Sequence, residues 1–167
     1  YHCARYAAEL FGSISKIEAR AVYSSEFLLN ETIAHQDGIL YIFITQSGET
    51  TDTNRAVDKA KEFGVKTLCI TNKENSTIWN ASDYKLACHA GEEKSIAATK
   101  SFTSQILCST LLALKFAQDK GIDIYDYILD LKTIPSFIEE AYSLHPKIKQ
   151  LARFISKYKH IIITADG

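Results

Sequence analysis

The chain has 167 residues, 46% of them hydrophobic, and a formal net charge of −1. That length suits one α/β domain with a full core, and the near-neutral charge argues against a nucleic-acid partner or an anionic membrane surface, both of which call for a basic face. No apolar run is long enough to span a bilayer and no signal-peptide pattern opens the chain, so we expect no membrane partner and a cytoplasmic location.

Cys3, Cys69, Cys88 and Cys108 lack Cys-x-x-Cys and zinc-ligand spacing, so they read as free thiols in a reducing compartment. We expect no metal and no cofactor.

Tyr1–Phe11 has apolar residues at helical spacing in Tyr6, Ala7, Leu10 and Phe11. Ala19–Tyr23 is a short strand candidate. Ser24–Leu29 reads as a short helix that Ser24 could cap, with Glu26 in its first turn. Ile39–Ile44 is a near-continuous apolar run, as in strands buried on both faces of a parallel sheet. Thr51–Phe63 is a helix turning Ala56, Val57, Ala60 and Phe63 inward, closed by Gly64 as a left-handed cap. Lys66–Thr71 is the next strand, Ser76–Ala81 a short helix with Ser76 as cap, and Tyr84–Ala87 a further strand. His89–Lys94 should be a loop at the carboxyl edge of the sheet, where ligands gather in open parallel folds. Ser101–Ala117 is apolar almost all round, through Phe102, Ile106, Leu107, Leu111, Leu112 and Leu114, so we expect burial on most sides, in the core or against a second subunit. Gly121 breaks it. Ile122–Lys132 is amphipathic and aromatic, and Pro135 and Pro146 each fit the first turn of a new helix. Phe137, Ile138, Ala141 and Leu144 share a face of the first, and Ile148, Leu151, Ala152 and Ile155 a face of the second. His160–Thr164 is a last strand candidate, running into Ala165–Gly167. The expected fold is α/β: a three-layer sandwich with a mostly parallel central sheet flanked by helices.

The most informative stretch is Thr45-Gln46-Ser47-Gly48-Glu49-Thr50-Thr51-Asp52-Thr53, where the first long strand hands over to a helix. The first turn of a helix leaves backbone N–H groups without partners, and the helix dipole adds partial positive charge there. A phosphate at that end is held by those donors. Thr45, Ser47, Thr50, Thr51 and Thr53 add hydroxyls and Gln46 an amide, while Gly48 lets the backbone curl closely. No Lys or Arg lies in the turn, which suits a small phosphorylated metabolite better than a nucleoside triphosphate. The Walker pattern and Gly-x-Gly-x-x-Gly are both absent. On this chemistry alone the turn is either a phosphate cradle or a capped βα turn without a ligand.

These nine residues resemble the Ser-Gln-Ser-Gly-Glu-Thr-x-Asp-Thr signature of sugar isomerase (SIS) domains. In particular the chain is similar to the first half of the isomerase domain in the family of isomerizing glutamine–fructose-6-phosphate aminotransferases. Three more segments agree: Tyr1-His2 with the end of that family's Gly-Thr-Ser-Tyr-His turn, Ser24-Ser25-Glu26-Phe27 with its Ala-Ser-Glu-Phe, and Ala97-Ala98-Thr99-Lys100-Ser101-Phe102-Thr103 with its Ala-Ser-Thr-Lys-Ala-Phe-Thr. The resemblance implies an SIS fold of flavodoxin or Rossmann type and a hexose 6-phosphate ligand, fructose 6-phosphate or glucosamine 6-phosphate. It places Thr45, Gln46, Ser47 and Thr50 on the phosphate, and Ile96 and Ala98 on the sugar. Ala98 stands where the family has Ser, and Lys94-Ser95 where it has Ile-Gly. These departures lean toward a stand-alone amino-sugar-phosphate isomerase or deaminase as the alternative. A non-catalytic sugar-phosphate sensor is the third reading.

Isomerisation between aldose and ketose needs a base that shuttles a proton between adjacent carbons. Glu92, Glu93, His89 and Glu49 lie on the right edge, and for each the plainer role is a solvated loop charge, or a cap for Glu49. Glu93 is the weak candidate for the base. The resemblance implies that the family's catalytic Glu, Lys and His lie outside this stretch. It also makes Glu26 a candidate at the edge of the active site, while Lys100 reads as a structural residue near a helix start. We expect residues 1–131 to form an SIS domain lacking its first strand, 132–159 a helical connector and 160–167 the start of a second SIS domain. A piece of a longer enzyme, inactive alone and assembling as a homodimer, is the expectation.

Overall fold

The computed structural model describes residues 1–30, 38–94 and 96–164. In chain order the elements are α1 His2–Ser13, α2 Ser24–Leu29, β1 Leu40–Thr45, α3 Thr51–Glu62, β2 Lys66–Thr71, α4 Thr77–Ala81, β3 Tyr84–Ala87, α5 Lys100–Asp119, α6 Tyr125–Ser143 and α7 His145–Ile155. Two compact units divide the chain, Tyr1–Asp123 and Ile124–Gly167.

In the first unit β1, β2 and β3 form a parallel sheet in that order. Successive side chains on a strand point to opposite faces, and the apolar run of β1 serves both. Phe43 and its register partner Cys69 join Phe27, Ala56, Val57, Ala60 and Ile78 in a core beneath α2, α3 and α4. Ile42, Ile44, Leu68 and Ile70 turn the other way, toward Leu86, Cys88, Cys108 and Leu112. α1 lies along α5 on that second side, where the Phe11 and Phe116 rings meet edge to face 5.5 Å apart. The result is the expected three-layer α/β sandwich. Small side chains let α3 approach closely, with Ala56, Val57 and Ala60 fully buried, and Gly64 ends the helix at φ +71°.

The structure departs from the sequence reading in several places. Ala19–Tyr23 is not a strand, for no described residue forms a ladder with it; extended backbone becomes a strand only when a neighbour takes up its hydrogen bonds. His160–Thr164 is not a strand for the same reason, and residues 165–167 lie outside the described part. Ser24 is the first helical residue of α2 rather than its cap, and its hydroxyl faces Thr53 Oγ1 at 3.4 Å. Within the chain α5 is not buried on most sides: Ser101, Gln105, Ser109, Ala113, Leu114 and Ala117 face inward, whereas Leu107 and Leu111 are each 45% exposed, and burial against a second subunit is not tested by a single chain. Ser15 accounts for part of this, donating to Ala113 O at 2.7 Å from the α1 side.

Pro135 does not start a helix; it lies inside α6. The apolar stripe Tyr127, Leu131, Ile134, Ile138, Ala141 stays in phase across the proline, and the helix follows the stripe. Thr133 and Ser136 flank the proline and donate to Asp130 O and Thr133 O, each at 2.7 Å. Pro146 does sit in the first turn of α7. Among the described residues no helix is long and apolar enough to cross a membrane. The four cysteines are free, with Cys3, Cys69 and Cys88 buried and Cys108 half-buried.

At the amino edge of the sheet Asp83 joins β2 to the start of β3. Its carboxylate accepts from Thr67 N at 3.0 Å, Thr67 Oγ1 at 2.8 Å and Lys66 Nζ at 3.1 Å. These bonds, the Thr67 hydroxyl's first, hold its pKa down at about 2. Asp83→Ala would leave the buried Thr67 amide without its acceptor, and we expect it to lower the unfolding free energy by about 1–3 kcal/mol in urea titrations near pH 7. Because the folded-state pKa lies below the unfolded value, the carboxylate's contribution is present above about pH 4 and is lost as pH falls toward 2. The wild-type and variant unfolding curves should therefore converge as the pH is lowered through that window.

Candidate functional site

Register sets the geometry. Thr45 lies beside Thr71, and Thr71 beside Ala87, so the segments following all three strands leave the sheet at one edge. Asn72 binds them together. Its backbone N–H donates to Gln46 O at 3.2 Å, its Oδ1 accepts from Ala90 N at 2.8 Å and its Nδ2 donates to Gly91 O at 2.7 Å. Sequence reasoning missed Asn72; a single amide after a strand looks like any turn residue until the pairing of β2 with its neighbours is known.

The turn after β1 is tightly specified. Gly48 adopts φ +68°, and a Cβ there would collide with the Ser76 side chain and stand 2.9 Å from Ile78 Cγ2. The Gly48 amide donates to Thr45 Oγ1 at 3.3 Å and the Glu49 amide to Ser47 Oγ at 3.2 Å. Each hydroxyl thus spends a lone pair on the backbone and keeps its O–H to donate elsewhere. Thr45 is buried and Gln46 and Ser47 half-buried. Thr50 is the N-cap of α3, exposed, and makes no side-chain capping bond. The first-turn amides of α3 have no acceptor within the helix, and the helix dipole concentrates about half a positive charge there. The residues that the sequence marked for a phosphate, Thr45, Gln46, Ser47 and Thr50, therefore lie in the turn that leads into an uncapped helix start.

The other helix start at this edge is closed. The Glu93 carboxylate accepts from Ser101 Oγ at 2.7 Å, Thr99 N at 3.1 Å, Ser101 N at 3.2 Å and Thr99 Oγ1 at 3.3 Å. It caps α5 from upstream and folds the intervening loop back on itself. The Ser101 hydroxyl, followed by the Thr99 and Ser101 amides, brings the Glu93 pKa down to about 2. A carboxylate so held is a poor proton acceptor at neutral pH.

Ile96 and Ala98 are exposed on that loop between Glu93 and Thr99; Ser95 lies outside the described residues. Glu92 is exposed, and Lys100 is the exposed first residue of α5. His89 adopts φ +50° and its Nδ1 lies 3.9 Å from Glu74 Oε1 at the surface. Glu26 is exposed in the first turn of α2. Glu49 turns toward α4, where Thr77 N and Thr77 Oγ1 donate to its two oxygens at 3.0 and 2.6 Å. Ser76 occupies the N-cap position of α4 as expected, but its hydroxyl makes no capping bond; Glu49 takes that role.

An open parallel α/β sheet with its uncapped helix start and hydroxyl-lined turn at the carboxyl edge places the molecule among α/β domains that hold ligands at that edge. The chain belongs to the SIS domain family, whose model matches residues 1–115. The glutamine–fructose-6-phosphate aminotransferase [isomerizing] of Campylobacter jejuni is 39% identical over 99% of the chain. The chain spans about 28% of that protein's length. Among solved structures, the C-terminal domain of glucosamine-fructose-6-phosphate aminotransferase from Francisella tularensis superposes with a TM-score of 0.89 at 29% identity, covering 96% of this chain and 46% of that one. Glucosamine-6-phosphate deaminase from Thermotoga maritima superposes with a TM-score of 0.73 at 25% identity, covering 86% and 44%.

Replacing Gly48 tests whether this turn is as constrained as its packing indicates. Gly48→Ala adds both a positive-φ penalty and an overlap with Ser76, and should lower the unfolding free energy by roughly 2–4 kcal/mol. Urea titration reads the effect; a midpoint equal to the wild type's would mean that the turn has room to move.

Proposed function

We propose that this chain is the phosphosugar-binding SIS half of an isomerizing glutamine–fructose-6-phosphate aminotransferase, which makes glucosamine 6-phosphate from fructose 6-phosphate and glutamine. The observation that carries this reading is the start of α3, whose N-cap Thr50 makes no side-chain capping bond and whose preceding turn carries Thr45, Gln46 and Ser47, in a chain whose relatives bear that enzyme's name. Binding energy gained at the remote phosphate positions the reacting end of the sugar, and neutral donors suffice for that. Ile96 and Ala98 border the sugar. The proton-transfer groups belong to parts of the longer protein beyond this chain, in keeping with the occupied state of Glu93. Residues 1–131 act as the SIS domain, 132–159 as a helical connector and 160–167 as the opening of a second SIS domain. The protein works in the cytoplasm as a homodimer, with the exposed Leu107 and Leu111 of α5 available for subunit contact.

The second reading, an amino-sugar-phosphate deaminase, is favoured by Ala98 and Lys94-Ser95 at the family's Ser and Ile-Gly positions and by the likeness to the Thermotoga deaminase. Turnover by the full-length protein separates the two. Glucosamine 6-phosphate formed from fructose 6-phosphate and glutamine supports the synthase. Ammonia released from glucosamine 6-phosphate, with no synthesis, replaces it with the deaminase, and tight binding without turnover leaves a sensor. In the synthase, Thr45→Val and Ser47→Ala should each raise the KM for fructose 6-phosphate about tenfold by removing one donor to a charged group. Unchanged KM values in both variants would remove the phosphate from this turn.

A further inference from the structure

Glu49 is a charged member of the nine-residue signature to which the proposed function gives no role. It lies between Ser47 and Thr50, both assigned to the phosphate, yet its carboxylate is bonded to another element. It crosses to α4, a helix 28 residues further along the chain, and takes two hydrogen bonds from Thr77, from the amide at 3.0 Å and from the hydroxyl at 2.6 Å. Beside it Ile78 N donates to Gly48 O at 3.1 Å, and the Ser76 side chain packs against the Gly48 backbone so closely that it excludes any Cβ. Three consecutive residues of α4 and its cap therefore grip two consecutive residues of the turn.

The chemistry favours an anchor over a proton carrier. The Thr77 hydroxyl, then the Thr77 amide, lower the Glu49 pKa, so the carboxylate stays ionised and bound at neutral pH. An ionised carboxylate left loose next to a phosphate would repel it; bonded to Thr77, it points elsewhere. The backbone it fixes is the backbone that orients the Thr45 and Ser47 hydroxyls, because those hydroxyls accept from the Gly48 and Glu49 amides. Donors aimed before the ligand arrives cost nothing to align on binding.

We infer that Glu49 is a positioning residue: its carboxylate latches the phosphate turn to Thr77 of α4 and so presets the hydroxyls that receive the sugar phosphate. This rests on the reading of the turn as the phosphate site, and it adds α4, to which that reading assigns no substrate contact, to the machinery that sets affinity.

The test is steady-state turnover of fructose 6-phosphate by the full-length protein, with amide hydrogen exchange of residues 46–50 read on the same variants. Glu49→Ala should raise KM about tenfold while kcat stays within about threefold. Glu49→Gln, whose amide oxygen can still accept from Thr77, should recover most of that loss. Thr77→Val should raise KM by a smaller factor, and adding it to Glu49→Ala should add little, because the two act as one unit. The turn amides should exchange faster in Glu49→Ala and Thr77→Val. If Glu49→Gln loses kcat as severely as Glu49→Ala, Glu49 moves a proton and the latch is wrong. If Glu49→Ala leaves both KM and turn exchange at wild-type values, the latch is wrong while the phosphate site stands. If the wild type neither binds nor converts the sugar phosphate, the functional reading fails, and exchange in the turn still decides whether Glu49 fixes it.

Discussion

Ser76 and Ile78 press on the Gly48 backbone where no side chain can fit, and the rest of the ligand edge follows from that contact. With Gly48 forced to φ +68°, the chain turns within a few residues of the end of β1 and enters α3, whose first amides have no acceptor within the helix. The amides spent inside the turn go to Thr45 and Ser47, leaving those hydroxyls as donors. A looser turn would let the same side chains satisfy one another or the solvent, and the helix start would be an ordinary cap. The packing of α4 is therefore as much a part of the candidate site as the residues that line it.

The parallel register supplies the second condition. Parallel strands with aligned ends bring all their following loops to one side, and Asn72 makes this alignment rigid by bonding to the segments on both flanks. The bonds to Ala90 N and Gly91 O use both ends of one side-chain amide, much as a neighbouring strand would use a peptide group. The segment after β3 is thus held at Ala90 and Gly91 by Asn72, and the start of α5 at Thr99 and Ser101 by Glu93. Ile96 and Ala98 are left exposed between these two anchors, where a ligand could reach them.

Much of this was legible in the residues. The strands Lys66–Thr71 and Tyr84–Ala87 and the helices beginning at Ser24 and Thr51 lie where apolar period and turn chemistry put them, because each buries its own pattern locally. The misplaced elements share a cause that no local pattern carries. Ala19–Tyr23 and His160–Thr164 have strand-forming composition but no ladder partner among the described residues, and a strand is defined by its neighbour. Pro135 was read by its usual place in a first turn, whereas the unbroken stripe from Tyr127 to Ala141 was the stronger signal. In α5 the leucines suggested burial on most sides, in the core or against a second subunit; within the chain Ser109, Ala113 and Leu114 are buried and Leu107 and Leu111 lie outside. In the site itself the hydroxyl-rich turn was visible from the sequence, while Asn72 and the Glu49–Thr77 pair required knowing which loops meet.

The contrast between the two helix starts at this edge is what makes one of them a credible binding site. Both α3 and α5 begin with first-turn amides that have no acceptor inside the helix and with the positive end of a dipole, so an argument from helix geometry alone would nominate either. At α5 the protein supplies its own anion: Glu93 fills the position with four hydrogen bonds, and its depressed pKa reflects how well those donors suit a negative charge. At α3 the nearby carboxylate, Glu49, is drawn aside to Thr77 instead of folding back over the amides. Each acidic residue thus has a role that follows from where its donors lie. One closes the start of α5, and the other is held by Thr77 and leaves the start of α3 without a side-chain cap.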